Sequence, residues 1–197
     1  MPILKQSDTV SVEPTSEPVT IAEARRQCDL DDNYFDEQLQ QLIKAARLKV
    51  EQDTRRALIT QTRVLKRSSF PGKIAIELPA APVQSITSVQ YTDTGGSSQT
   101  FSSSLYSLDA NHTPPLVVLD YGESWPSVRG YHNDVVVTYV AGYGTATSVP
   151  ETAKQMVLLL VRHWFDNSSP VIVGTTASTI PWTYDTIAAG LKWGQYP

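Results

Sequence analysis

The sequence predicts an α+β fold: a helical frame of two N-terminal and two C-terminal helices with a β-rich insertion between them. Two changes of period carry that expectation. Apolar residues recur every three to four positions up to about residue 57, alternate through 58–145, and return to helical spacing after Ser148. Composition agrees, since 41% hydrophobic and 18% charged residues describe a globular chain and not a disordered one. A chain of 197 residues buries about 70% of its unfolded surface, enough for a core.

Residues 1–17 are polar and contain Pro2 and Pro14, and the expectation is a flexible N-terminal arm. Thr20 with Glu23 makes a capping-box pattern that starts a short helix running to about Cys28. Asp31, Asp32 and Asn33 offer caps for a second, longer helix. In that helix Phe35, Leu39, Leu42, Ile43, Ala46 and Val50 form one apolar stripe. Gln40, Gln41, Lys44, Arg47, Lys49, Gln52 and Asp53 are assigned to the opposite, solvated face.

Strand patterns follow. Residues 60–67 alternate, as do 73–78, and 83–92 alternate with a slip that indicates a bulge. Gly95-Gly96 marks a hairpin turn before 99–107, then comes 116–119. The run 135–140 (VVVTYV) is continuous and β-branched, as a buried strand is. About seven strands result. Ser148 with Glu151, and Pro150 between them, starts a third helix with Met156, Leu159, Leu160, His163 and Trp164 on its core face. Residues 166–170 break it, and a fourth, weaker helix runs from Tyr184 to about Trp193. The domain division is therefore 1–17, a helical core of 18–57 with 146–167, the insertion 58–145, and a C-terminal arm 168–197.

Chemistry is sparse. Asp29, Asp31 and Asn33 have the spacing of a calcium loop, but Tyr34 stands where that loop needs glycine and Gln40 where it needs glutamate. Helix capping is the favoured role for these residues. His112, His132 and His163 form no metal motif, and the single Cys28 excludes an internal disulfide. No nucleophile elbow or phosphate loop is present. The expectation is no catalytic residue, no cofactor and no metal. The apolar run near Met1–Leu4 ends at Lys5, unlike a secretory signal, and no stretch suits a membrane span. A net charge of −4 argues against a protein that grips a phosphate backbone over its whole surface.

Association is better supported. All four tryptophans, Trp125, Trp164, Trp182 and Trp193, lie in the latter part of the chain. Trp182, Tyr184, Trp193 and Tyr196 are dense in a segment too short for a core of its own. They serve either as anchors in a partner's pockets or as cover for their own helical frame.

An ordered set of residues resembles the head-tail connector (adaptor) proteins of tailed bacteriophages. It comprises Asp31-Asp32, Leu39, Leu42-Ile43, Ala45-Ala46-Arg47, Glu51 and Thr54-Arg55-Arg56-Ala57-Leu58, where the family commonly has glycine at the position of Arg55. Leu78-Pro79, Pro82-Val83, Ser85-Ile86, Ser88-Val89, Tyr91 and Asp93 continue it. Tyr106, Asp109, Trp125-Pro126, Val135 to Gly144 and Val149-Pro150 extend it to about residue 166. The resemblance implies a structural virion protein at the head-tail junction, made in the host cytoplasm. It would form a homo-oligomeric ring, commonly twelve-membered, joining portal to stopper or tail-completion protein. DNA would pass through its channel without sequence-specific binding, and no membrane is involved. Beyond the resembling residues, the aromatic, weakly helical C-terminal arm is itself expected to dock on the portal through Trp182, Tyr184, Ile187, Leu191 and Trp193. Two alternatives stand beside this: another tail-assembly or stopper protein, and a small cytoplasmic enzyme with an unrecognised site.

Overall fold

The computed structural model describes residues 6–72, 75–167 and 182–192. Within them the chain is a mixed α/β protein with four α-helices and two antiparallel sheets. It divides into two compact units, one of Met1–Pro14 with Thr60–Tyr143, the other of Thr15–Ile59 with Gly144–Pro197.

The first unit holds the strands. Its larger sheet has the order β1-β2-β8-β4-β5, from β1 (Ser7–Val12), β2 (Gln61–Arg67), β8 (Val135–Ala141), β4 (Val83–Thr92) and β5 (Ser98–Phe101). The smaller sheet is β3 (Ala75–Glu77), β7 (Leu116–Leu119) and β6 (Tyr106–Asp109). In β8, the central strand, Val135, Val137, Tyr139 and Ala141 are buried and the residues between them half-buried. The slip expected in 83–92 is present as two register shifts of β4 against β8, at Val83/Ser85 and Ile86/Ser88. Gly96, at φ 86°, closes the β4–β5 hairpin by donating its N–H to the Asp93 carbonyl at 3.0 Å. The expected strand over 99–107 is two strands, because a 3-10 turn at Ser103–Leu105 interrupts it.

The flexible arm expected for 1–17 is corrected by β1. That strand pairs antiparallel with β2, Ser7 opposite Lys66 and Val10 opposite Arg63. Its anchor is a polar contact that no local pattern announces. Asp8 accepts two hydrogen bonds from Arg63, at 2.8 and 2.6 Å, and one from the Tyr139 hydroxyl at 2.9 Å. Arg63 and Tyr139 stand directly opposite each other in the β2–β8 ladder, so both reach Asp8 from one face.

The second unit holds the helices. α1 (Ile21–Gln27) begins with the expected capping box: the Glu23 N–H donates to the Thr20 hydroxyl, and the Thr20 N–H donates to the Glu23 carboxylate at 2.6 Å. The backbone N–H and hydroxyl of Thr20 hold the Glu23 carboxyl below its ordinary range. α1 ends in a Schellman turn, with Asp29 at φ 55° and the Leu30 N–H donating to the Arg25 carbonyl at 3.0 Å.

α2 (Asp36–Thr54) starts later than its expected caps. Asp32 turns back on the Tyr34 N–H at 3.1 Å instead, and Phe35 precedes the helix without a side-chain cap. Leu39, Ile43, Ala46 and Val50 are buried as the stripe predicts, while Phe35 and Leu42 are only half-buried. Arg47, assigned to the solvated face, is 1% exposed. α3 (Glu151–Asp166) is preceded by Pro150, and Ser148 lies in a 3-10 turn with no capping box. The residue before a proline is driven to extended backbone; Val149, at ψ 130°, thereby carries Ser148 out of the capping position. The core face of α3 is Ala153, Met156, Val157, Leu160 and Val161, whereas Leu159, His163 and Trp164 are half-buried. α4 (Trp182–Leu191) packs on α3 and α2.

Candidate docking surface

The C-terminal arm is the site the sequence singles out, and α4 is the part of it that can be described. Its residues do not share one role. Tyr184 is 2% exposed and its hydroxyl donates to Asp53 on α2 at 2.6 Å. Burial, then this hydrogen bond to a carboxylate, pushes its phenol well above the ordinary tyrosine range. Tyr184 is therefore an internal clasp, which corrects its expected role as a partner anchor. The helix needs the clasp: it has ten residues, contains Gly190, and would be marginal alone. A second tie comes from Arg56, whose Nε donates to the Leu191 carbonyl at 2.7 Å, satisfying one of the acceptors a helix leaves open at its C-terminus. Ile187 and Leu191 are half-buried and present their remaining surface outward. Trp182 opens α4 with its side chain outside the described atoms, and Trp193 lies outside the described residues.

Between α4 and the C-terminal end of α2 is an open cleft of about 530 Å³. Lys49, Arg55 and Lys192 line it, with Asp53, Asp185 and Ala188. Lys49 Nζ donates to Asp53 at 2.7 Å, so that carboxylate is covered by Lys49 and Tyr184 together. Arg55 is the C-cap of α2 in the left-handed conformation, φ 56° and ψ 34°. That is the position where the resembling family commonly has glycine, and the geometry explains why: a side chain there costs about 1–2 kcal/mol. Here an arginine occupies it and lines the cleft.

At the other end of α2 the surface is acidic and aromatic. Asp31, Asp32 and Glu37 are exposed, and Tyr34 is 81% exposed. Tyr34 packs edge-on against Phe35, which in turn packs against Phe165. Asp29, the first residue of the supposed calcium spacing, is engaged by Arg162 at 2.6 Å. Among the described residues no three His, Cys, Asp or Glu side chains converge as a metal-ligand set. His112 Nδ1 lies 2.8 Å from the Pro114 carbonyl and His163 lies beside Asn167. Cys28 is buried, and burial raises its thiol. No described helix is long and apolar enough to cross a membrane.

In the strand unit, the half-buried Trp125 belongs to an aromatic cluster. It stacks on Phe70 at 4.7 Å and leans on Phe101 at 5.3 Å. The loop that carries it also displays Tyr121 and Tyr131, both exposed. Asp134, at its end, receives the Tyr131 N–H and the Arg129 guanidinium. Burial alone would raise its carboxyl, but those hydrogen bonds outweigh it and hold the group low. Sequence patterning gave no sign of these exposed tyrosines.

No family model matches the chain, and no curated protein matches it. Solved structures do. A chain in the neck of an empty gene transfer agent particle, computed with C6 symmetry, superimposes with a TM-score of 0.78 at 19% identity, over 98% of both chains. A chain in the virion of the native gene transfer agent gives 0.77 at 18% identity, over 96% and 97%. A chain in the native neck, computed with C12 symmetry, gives 0.74 at 20% identity, over 98% of both. The protein has the fold of these chains along almost its whole length.

Proposed function

We propose that this chain is a non-enzymatic structural subunit of the connector between head and tail in a tailed bacteriophage, prophage or gene transfer particle. In this reading it forms a homo-oligomeric ring at the head-tail junction of the virion, between the portal and the stopper or tail-completion protein. The observation that carries the reading is a similar fold, at a TM-score of 0.78 over 98% of both chains, in a protein of a particle neck. The residues that resemble the connector family support it independently, because they span both units. The C6 and C12 symmetries of the neighbouring necks support a ring, and twelve subunits is the number we favour. A net charge of −4 supports a lumen through which DNA slides without being held.

Docking on the portal is assigned to 168–197, with Ile187 and Leu191 as the outward apolar residues of α4 and Trp182 and Trp193 flanking them. Tyr184 is withdrawn from that set because its own unit uses it.

Electron microscopy of the purified chain mixed with its portal is the test. A ring of this protein on the portal is expected. A portal that stays bare, or that takes up isolated copies without a ring, overturns the reading. Truncation before Ser168 should abolish portal attachment while the remainder stays folded. Normal attachment of the truncated chain would move the docking surface to α2.

A further inference from the structure

Fifteen residues, 120–134, join β7 to β8 and contain neither helix nor strand. A connection of that length without regular structure is uncommon in a compact domain and usually carries a function. This one is tied down along its length. The Asp120 N–H donates to the Leu105 carbonyl at 3.0 Å, and the Glu123 N–H to the Asp120 carbonyl at 3.1 Å. Trp125 stacks on Phe70, and the Arg129 N–H donates to the Thr92 carbonyl at 3.2 Å. Asp134 is 1% exposed and accepts hydrogen bonds from the Tyr131 N–H at 2.5 Å and the Arg129 guanidinium at 2.7 Å. The loop is fixed, yet Tyr121 is fully exposed and Tyr131 largely so. Each lies beside a glycine at positive φ, Gly122 at 85° and Gly130 at 81°. Among the described residues neither phenol has a hydrogen-bond partner.

We propose that this loop is the docking site for the protein on the tail side of the ring, with Tyr121 and Tyr131 as its anchors. The inference deepens the proposed function and rests on it. Portal docking is assigned there to 168–197, in the helical unit, so the strand unit remains for the second partner. Tyrosines on a fixed loop suit such a contact. Each offers a large apolar area and a hydroxyl, and the cost of ordering the loop is met when the chain folds. Charge defines the chemistry of the partner. With His132 counted neutral, three carboxylates against one guanidinium leave the loop at −2. Arg129 is spent on Asp134 and on one face of the Tyr131 ring, 5.4 Å away. Asp120 and Glu123 flank Tyr121, both exposed and, among the described residues, without a cation. The surface that fits is therefore a protein surface with apolar pockets rimmed by lysine or arginine. The same two carboxylates repel phosphate, which sets the loop apart from a DNA contact.

The test uses rings of the native chain and of two variants, assembled on the portal and mixed with the purified stopper or tail-completion protein. The variants are Tyr121→Ala with Tyr131→Ala, and Glu123→Lys. Electron microscopy reads ring formation, sedimentation at rising concentration of the added protein reads its attachment, and melting curves check folding. Tyr121→Ala alone, on a fully exposed side chain, keeps the test decisive if the double variant unfolds. All variants should form rings as the native chain does. Their affinity for the tail-side protein should fall at least about tenfold, and native attachment should weaken as salt rises. Variant rings that bind like native rings overturn the loop as the docking site. Folded variants that form no ring overturn it too, because the loop then serves contact between copies. Native rings that take up neither added protein overturn this assignment and leave the ring in place. A native chain that forms no ring on the portal overturns the proposed function, and this inference with it.

Discussion

Arg47 and Glu51 stand one turn apart on α2 and both point inward: Arg47 Nη1 donates to Glu51 Oε2 at 3.1 Å in a site from which water is excluded. Each has a second partner. Arg47 Nε donates to Glu17 at 2.8 Å, and Glu51 Oε1 accepts the Leu58 N–H at 2.8 Å. The pair thus ties α2 to the segment before α1 and to the segment after α2. Removing one member breaks a buried pair, a loss of about 3–5 kcal/mol in general, and the partners that remain, Glu17 for Arg47 and the Leu58 N–H for Glu51, place the effect at the lower end. Arg47→Ala and Glu51→Ala should each lower stability by that order in urea unfolding. Glu51→Gln, which keeps an acceptor for Leu58, should cost less than Glu51→Ala.

Arg55→Gly tests the backbone strain at the end of α2. Glycine relieves the left-handed strain at φ 56°, and the freedom it adds to the unfolded chain offsets part of the gain. The expected result is about 0.5–1 kcal/mol of added stability, read as a raised melting temperature.

Asp8 holds the edge strand β1. Asp8→Ala leaves the Arg63 guanidinium and the Tyr139 hydroxyl without their shared acceptor, in a site only partly open to water. A loss of about 2 kcal/mol is expected, in the range for hydrogen bonds to charged groups. Amide hydrogen exchange should show the loss first in Ser7–Val12, because that strand has a neighbour on one side only.

Stability should fall at both ends of the pH scale, for opposite reasons. Burial, and then the neighbouring carboxylates, raise the phenols of Tyr139 and Tyr184 in the fold. The folded state thus keeps protons that the unfolded state releases, so stability is intact below about pH 10 and lost above it. Tyr139→Phe and Tyr184→Phe should each flatten the alkaline limb. Glu23, Asp93 and Asp134 are held low by hydrogen bonds, so their contribution is present above about pH 4 and lost as pH falls through it.

Much of this protein could be read locally. The capping box of Thr20 and Glu23, the apolar stripe through Leu39, Ile43, Ala46 and Val50, the hairpin at Gly95-Gly96 and the continuous β-branched run of β8 are settled by residues within one or two turns of each other. Such signals need only neighbours in sequence, and a single chain contains them in full. The resembling residues, too, fall where the fold uses them: Arg55, in the family's glycine position, is the left-handed C-cap.

Tertiary structure decided what depends on partners far along the chain. Arg47 looks like a surface residue by its period, and only Glu17, 30 residues earlier, and the close packing around α2 make it a buried one. Asp8 looks like part of a loose arm until Tyr139, 131 residues later, supplies a hydroxyl to it. Tyr184 looks like a free aromatic anchor until Asp53, 131 residues before it, accepts a hydrogen bond from its hydroxyl. In each case a polar group gains its place by being desolvated and hydrogen-bonded at once, and neither condition leaves a periodic trace in the sequence.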